Sequence, residues 1–227
     1  MTDLTYLERP AAGDAAGLLV LHHGRGSDER DLIGLADILD PGRRLHVVTP
    51  RAPLTLGGPG YHWYVVPRVG HPDPDTFHGA YRALVAFHDG LWERTGIPPE
   101  RTVLGGFSMG SVMSYSLGLG PDRPAPAGIL AFSGFVPVVE GWQPDLAGRG
   151  AVQAFVAHGR RDPVMEVGFA RRAKSTAMIG SARPWAMKTR TPGRPARSGD
   201  QPSTVGMKPE KARMPAGAGR CGERPSA

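Results

Sequence analysis

Short apolar runs and longer amphipathic stretches alternate along residues 1–174. That rhythm predicts an α/β fold built on a mostly parallel sheet flanked by helices. Leu18-Leu19-Val20-Leu21 is a continuous apolar run of the kind that fills a strand covered on both faces, and Leu45-His46-Val47-Val48 is a second. From Asp28 to Leu39, apolar residues at Leu32, Leu35, Ala36 and Leu39 keep helical spacing. The clearest helix runs from Phe77 to Trp92, with Phe77, Tyr81, Leu84, Val85, His88, Leu91 and Trp92 on one stripe and Gly96 as its stop. Thr102-Val103-Leu104 predicts a strand, Ser111 to Leu119 a helix, Gly128 to Phe132 and Val152 to Ala157 two more strands, and Val164 to Lys174 a last helix.

The pattern stops at Lys174. Residues 175–227 contain no Leu and no Phe, and their only Ile and Val are Ile179 and Val205. Such a segment buries too little apolar surface to offset the entropy of ordering it, so a disordered basic tail rich in Pro and Gly is expected there. Charge divides at the same point. The chain carries +6 overall, with Lys+Arg 27 against Asp+Glu 21, yet Asp and Glu slightly outnumber Lys and Arg up to Lys174, so the basic excess lies in the tail. The expected organisation is a domain over 1–174 followed by a tail over 175–227.

The single cysteine, Cys221, excludes a disulfide framework and a cysteine metal cluster. No apolar run reaches the ~20 residues of a membrane span, and Met1-Thr2-Asp3 does not open a signal peptide, so a cytoplasmic location is expected.

The main chemical signal is Gly106-Phe107-Ser108-Met109-Gly110. With 32 glycines in the chain, the G-x-S-x-G pattern alone is weak. Its context strengthens it, because an apolar strand precedes it and small and apolar helix residues follow. A serine on a sharp strand-to-helix turn projects its hydroxyl from the sheet, and the flanking glycines avoid clashes that side chains would cause. His23-Gly24-Arg25-Gly26 follows the first strong strand. It is no dinucleotide fingerprint, since position 29 is Glu where a third glycine should lie.

The chain resembles the phospholipase/carboxylesterase family of α/β-hydrolases, which includes the acyl-protein thioesterases. The resemblance spans about Leu18 to Arg172. It rests on Leu21-His22-His23-Gly24-Arg25-Gly26, on Gly105-Gly106-Phe107-Ser108-Met109-Gly110, and on His158-Gly159-Arg160-Arg161-Asp162-Pro163-Val164. It implies an α/β-hydrolase fold and a serine hydrolase cleaving carboxylic esters or thioesters through an acyl-enzyme. Ser108 would be the nucleophile and Asp162 the triad acid, with the backbone amides of Met109 and Arg25 as the oxyanion hole. Trp63, in Gly60-Tyr61-His62-Trp63-Tyr64, is a candidate wall for the acyl group, with an exposed aromatic loop or satellite packing as the competing roles. The implied partner is a small ester or thioester, with no cofactor and no metal. A homodimer stays open.

The departure is the base. A triad of this type runs Ser, Asp, His in chain order, but the eight histidines are His22, His23, His46, His62, His71, His78, His88 and His158, none after Asp162. Family members continue with a strand, a Gly-His loop and a closing helix, for which residues 175–227 lack the apolar residues and the histidine. The domain is therefore expected to lack its last strand and helix, and its activity to be impaired. Either the tail is a natural basic extension, or the reading frame shifts near Lys174. Two rival functions follow: a non-catalytic binding protein on the same fold, and a binder of nucleic acid or anionic surfaces through the tail. The second is disfavoured because a single aromatic residue, Trp185, stands among its basic residues and no nucleic-acid motif accompanies them.

Overall fold

A computed structural model of the chain describes residues 4–55, 57–149, 152–165, 167, 168 and 171. Their core is a six-stranded sheet of β1 (Tyr6–Arg9), β2 (Gly17–His22), β3 (Leu45–Pro50), β4 (Thr102–Phe107), β5 (Gly128–Phe132) and β6 (Gln153–Ala157), in the spatial order β1-β3-β2-β4-β5-β6. Only β1 is antiparallel to its neighbour; the other pairings are parallel. The helices are α1 (Ala36–Leu39), α2 (Pro74–Thr95) and α3 (Met109–Leu119). This is the expected mostly parallel α/β architecture.

The central strand shows why its run is apolar without interruption. Leu18 and Val20 of β2 join the cluster that includes Leu84 and Leu91 of α2 and Val112 and Met113 of α3. Leu19 and Leu21 point the other way, against Leu32, Ala36 and Val47. Both faces of β2 are covered, so no position along it tolerates a polar side chain facing water.

Local chemistry sets the ends of α2. Asp73 caps its N-terminus by accepting from the Thr76 amide at 3.0 Å, and Pro74 occupies the first turn where no amide partner is needed. Gly96 closes it in the left-handed region at φ 65°, donating its N–H to the Trp92 carbonyl at 2.9 Å.

Two elements differ from expectation. The helix expected from Asp28 to Leu39 is instead a 3-10 turn, Ile33–Leu35, and the single turn of α1. One local and one tertiary contact hold its first residues out of a helix: the Asp28 carboxylate accepts from the Arg30 amide at 2.8 Å, and the Glu29 carbonyl accepts from the Thr49 hydroxyl at 2.6 Å. Strand β1 is an edge strand with no alternating pattern to reveal it. It is fixed by pairing with β3 and by Arg9, which donates to Asp40 at 2.9 Å. The helix expected over 164–174 falls largely outside the described residues, as do the boundary at 174 and the tail 175–227. Among the described residues, no helix is long and apolar enough to cross a membrane.

Candidate active site

Strand β4 ends at Phe107, α3 begins at Met109, and Ser108 makes the entire connection. Its backbone has φ 53° and ψ −115°, a conformation that L-residues rarely adopt. Contacts on both sides hold it there. The Ser108 amide donates to the Phe132 carbonyl at the end of β5 at 2.8 Å. A Cβ on Gly106 would press into the backbone of Gly110 and Ser111, and one on Gly110 into the carbonyls of His22 and His23. The two glycines are thus required by close backbone approach. Beneath the turn, the Ser114 hydroxyl lies 2.8 Å from the Gly105 carbonyl, and every residue of α3 is buried.

The loop after β2 is tied down independently. His23 Nε2 accepts from the Ala52 amide at 3.0 Å, so the proton resides on Nδ1, which donates to the Gly24 carbonyl at 2.7 Å. Gly26, at φ 74°, donates to the Tyr61 carbonyl at 3.0 Å. Between these anchors, the Arg25 amide has no protein acceptor among the described residues, and neither has the Met109 amide at the first position of α3.

Ser108, Met109 and Arg25 line one cavity of about 80 Å³, together with Tyr64, Val66, Arg68, Phe135, Val164 and Met165 among others. It opens at the C-terminal ends of the parallel strands, where α/β sheets hold their ligands. A wider groove of about 410 Å³, lined by residues such as Glu8, His46, Thr95 and Arg101, lies at the opposite ends of the strands and has no serine or cysteine in its lining.

Asp162 stands in the turn after β6, behind the Val164–Met165 wall. Its Oδ1 accepts from the amides of Val164 at 2.9 Å and Met165 at 3.0 Å. These amide hydrogen bonds, Met165's above all, hold the carboxyl below the usual aspartate range, despite some opposition from desolvation. The nearest imidazole to its Oδ2 is His158, with Nε2 at 3.6 Å, too far for a hydrogen bond; that nitrogen donates to the Met165 carbonyl at 2.9 Å.

All eight histidines lie among the described residues, and none is hydrogen-bonded to the Ser108 hydroxyl. His22 Nδ1 pairs with the Ser114 hydroxyl at 2.9 Å, His46 with Glu8 at 3.0 Å, His78 with the Glu140 carbonyl at 2.7 Å and His88 with the Leu84 carbonyl at 2.8 Å. The backbone of His62 bridges to Leu54, and that of His71 to Arg68.

Trp63 is not a cavity wall. It is fully buried behind the loop after β2, where its Nε1–H donates to the His23 carbonyl at 2.9 Å and its amide meets Met109 Sδ at 3.3 Å. Its neighbours Tyr64 and Val66 supply the lining instead. An indole is placed inside when its N–H finds an acceptor, and the sequence gives no sign of where that acceptor is. Sequence reasoning also missed Arg68 and Phe135, which no motif contains. Among the described residues, no three His, Cys, Asp or Glu side chains come together as a metal site.

The phospholipase/carboxylesterase family profile matches residues 9–182. The chain belongs to that family. Esterase PE8 is 31% identical over 79% of this chain and 87% of its own, with a TM-score of 0.65. The carboxylesterase of Bacillus cereus, 23% identical over 82% of this chain and 85% of its own, shares the fold with a TM-score of 0.67. Acyl-protein thioesterase 1 of Debaryomyces hansenii is 28% identical over 132 residues. That match spans 54% of this chain and 56% of the relative's own length.

Proposed function

We propose that this protein is a serine hydrolase that attacks carboxylic esters or thioesters through Ser108. The observation that carries the reading is the junction of β4 and α3. A serine held at positive φ opens onto a cavity beside two amides, those of Arg25 and Met109, that have no other acceptor among the described residues. In the reaction, Ser108 Oγ gives up its proton to solvent water and bonds to the substrate carbonyl carbon, and the carbonyl oxygen takes the negative charge between the two amides. The carbonyl re-forms as the bond to the alcohol or thiol breaks, and the alkoxide takes a proton from solvent (a thiolate can leave as such). Water then attacks the acyl group, which leaves as the free acid while Ser108 Oγ regains a proton. Losing one such amide donor typically costs about 100- to 1000-fold in rate.

Asp162 is suited to orient an imidazolium, being held ionised by two amides. The imidazole itself is what this chain does not supply after Asp162. Loss of a triad histidine costs on the order of a million-fold in kcat, while the oxyanion hole and binding retain about 10³–10⁴ over water. Slow acylation is therefore the activity proposed for the chain, in the cytoplasm. The test is covalent labelling of the full chain by a fluorophosphonate, followed by peptide mapping. Label on Ser108, absent from Ser108→Ala, supports the reading; label elsewhere, or none under prolonged exposure, refutes it.

A further inference from the structure

The cavity beside Ser108 has a charge that ester hydrolysis does not require. Arg25 and Arg68 both line it, and none of its other lining residues is an aspartate or glutamate. Nearby carboxylates are engaged elsewhere. Glu29 is gripped by Arg51 through two contacts of 2.6 Å, Asp28 pairs with Arg30 at 3.3 Å, and Asp73 accepts from the Thr76 hydroxyl at 2.6 Å. Neither Arg25 nor Arg68 has an ion-pair partner among the described residues. The loop that carries Arg68 is itself shaped, closing through His71 N–H to the Arg68 carbonyl at 3.0 Å with Gly70 at φ 90°. The positive potential extends beyond the cavity: His62 is held below the usual imidazole range by desolvation first and by the charge of Arg25 second.

Size narrows the ligand further. A cavity of about 80 Å³ is near half the ~150 Å³ of an apolar cavity that takes up benzene, so an acyl group of a few carbons is enough to fill it. Tyr64, Val66, Phe135 and Met165 give that group an apolar lining, and the two guanidiniums stand exposed at the rim.

We infer that the substrate is a short-chain ester or thioester bearing a carboxylate, with the acyl carbons inside the cavity and the carboxylate between Arg25 and Arg68. This rests on the reading of Ser108 as the nucleophile and adds the substrate class. Guanidinium suits the role because it stays charged at every working pH and meets a carboxylate with paired donors.

The experiment is binding of non-turned-over esters to the full-length Ser108→Ala chain by calorimetry. Three probes of similar length are used: monomethyl succinate, with the carboxylate on the acyl side; acetoxyacetate, with it on the alcohol side; and neutral methyl butyrate. The expected result is that at least one anionic ester binds about fivefold or more tightly than methyl butyrate near 20 mM salt, with the advantage falling towards parity near 1 M, where the screening length is ~3 Å. Arg25→Gln together with Arg68→Gln should abolish the advantage. Equal or weaker binding of both anionic esters overturns the inference, as does an advantage that survives high salt or the double substitution. The ratio measured on Ser108→Ala and its salt dependence need neither arginine substitution, so a misfolded double variant does not leave the inference untested. Fluorophosphonate labelling reads Ser108 separately. Label without anion preference sinks the substrate class alone, whereas absence of label sinks the hydrolase reading.

Discussion

The Trp63 indole donates to the carbonyl of His23 at 2.9 Å, and this joins a buried aromatic to the loop that presents the Arg25 amide. Replacing Trp63 with Phe leaves that carbonyl buried without a donor, at a cost of about 1–3 kcal/mol. Urea unfolding should register the loss. If the indole also orients the loop, the variant will label with fluorophosphonate more slowly even when fully folded. A labelling rate equal to wild type would limit Trp63 to packing.

Gly110 to Ala is the sharper test of the turn. The added methyl has nowhere to go but the carbonyls of His22 and His23. We expect destabilisation at or above the ~1–3 kcal/mol typical of overpacking, with loss of Ser108 labelling in whatever protein remains folded. Gly79 to Ala, where a Cβ on α2 meets no atom, is the control and should leave unfolding and labelling close to wild type.

Two buried imidazoles make stability depend on pH. Burial drives His88 down to about 4 and His22 well below its usual value, and their rings lie 5.4 Å apart. Both are neutral in the folded chain, whereas the unfolded chain takes up protons near pH 6.5. Their contribution is therefore complete above 6.5 and is lost as pH falls towards 4, by up to about 1.4 kcal/mol per pH unit for each ring. Urea midpoints at pH 7, 6 and 5 check the slope, and His88→Leu should flatten it. An unchanged slope in that variant would assign the acid sensitivity elsewhere.

Chemical rescue tests the proposal that no histidine of the chain serves Ser108 as base. Imidazole added at tens of millimolar should raise hydrolysis of a short p-nitrophenyl ester severalfold over the imidazole-only rate, and Ser108→Ala should cancel the gain. Hydrolysis at ordinary esterase rates without imidazole, abolished in Ser108→Ala, would mean that a histidine of the chain already serves.

The legible parts of the chain are those where neighbouring residues decide the structure. The unbroken apolar run of β2 announces a strand covered on both faces, Gly96 announces the end of α2, and Gly106 with Gly110 announces the turn at Ser108. The illegible parts are decided by distant partners. Residues 28–32 keep helical spacing but are held by Thr49 and Arg51, strand β1 exists through its pairing with β3, and Trp63 is drawn inward by a carbonyl 40 residues earlier. Arg68 carries no motif at all; only the folded loop brings it to the same cavity as Arg25.

Gly110 seated on the carbonyls of His22 and His23 makes the serine turn and the amide loop a single rigid block, built from backbone and held by the core. A lineage can lose proton transfer by changing one side chain, but it cannot erase this block without unfolding the sheet around it. The placement of Ser108 against the loop amides is thus fixed by the fold itself, and on the proposed reading it is this block that would set the stereochemistry of acyl transfer.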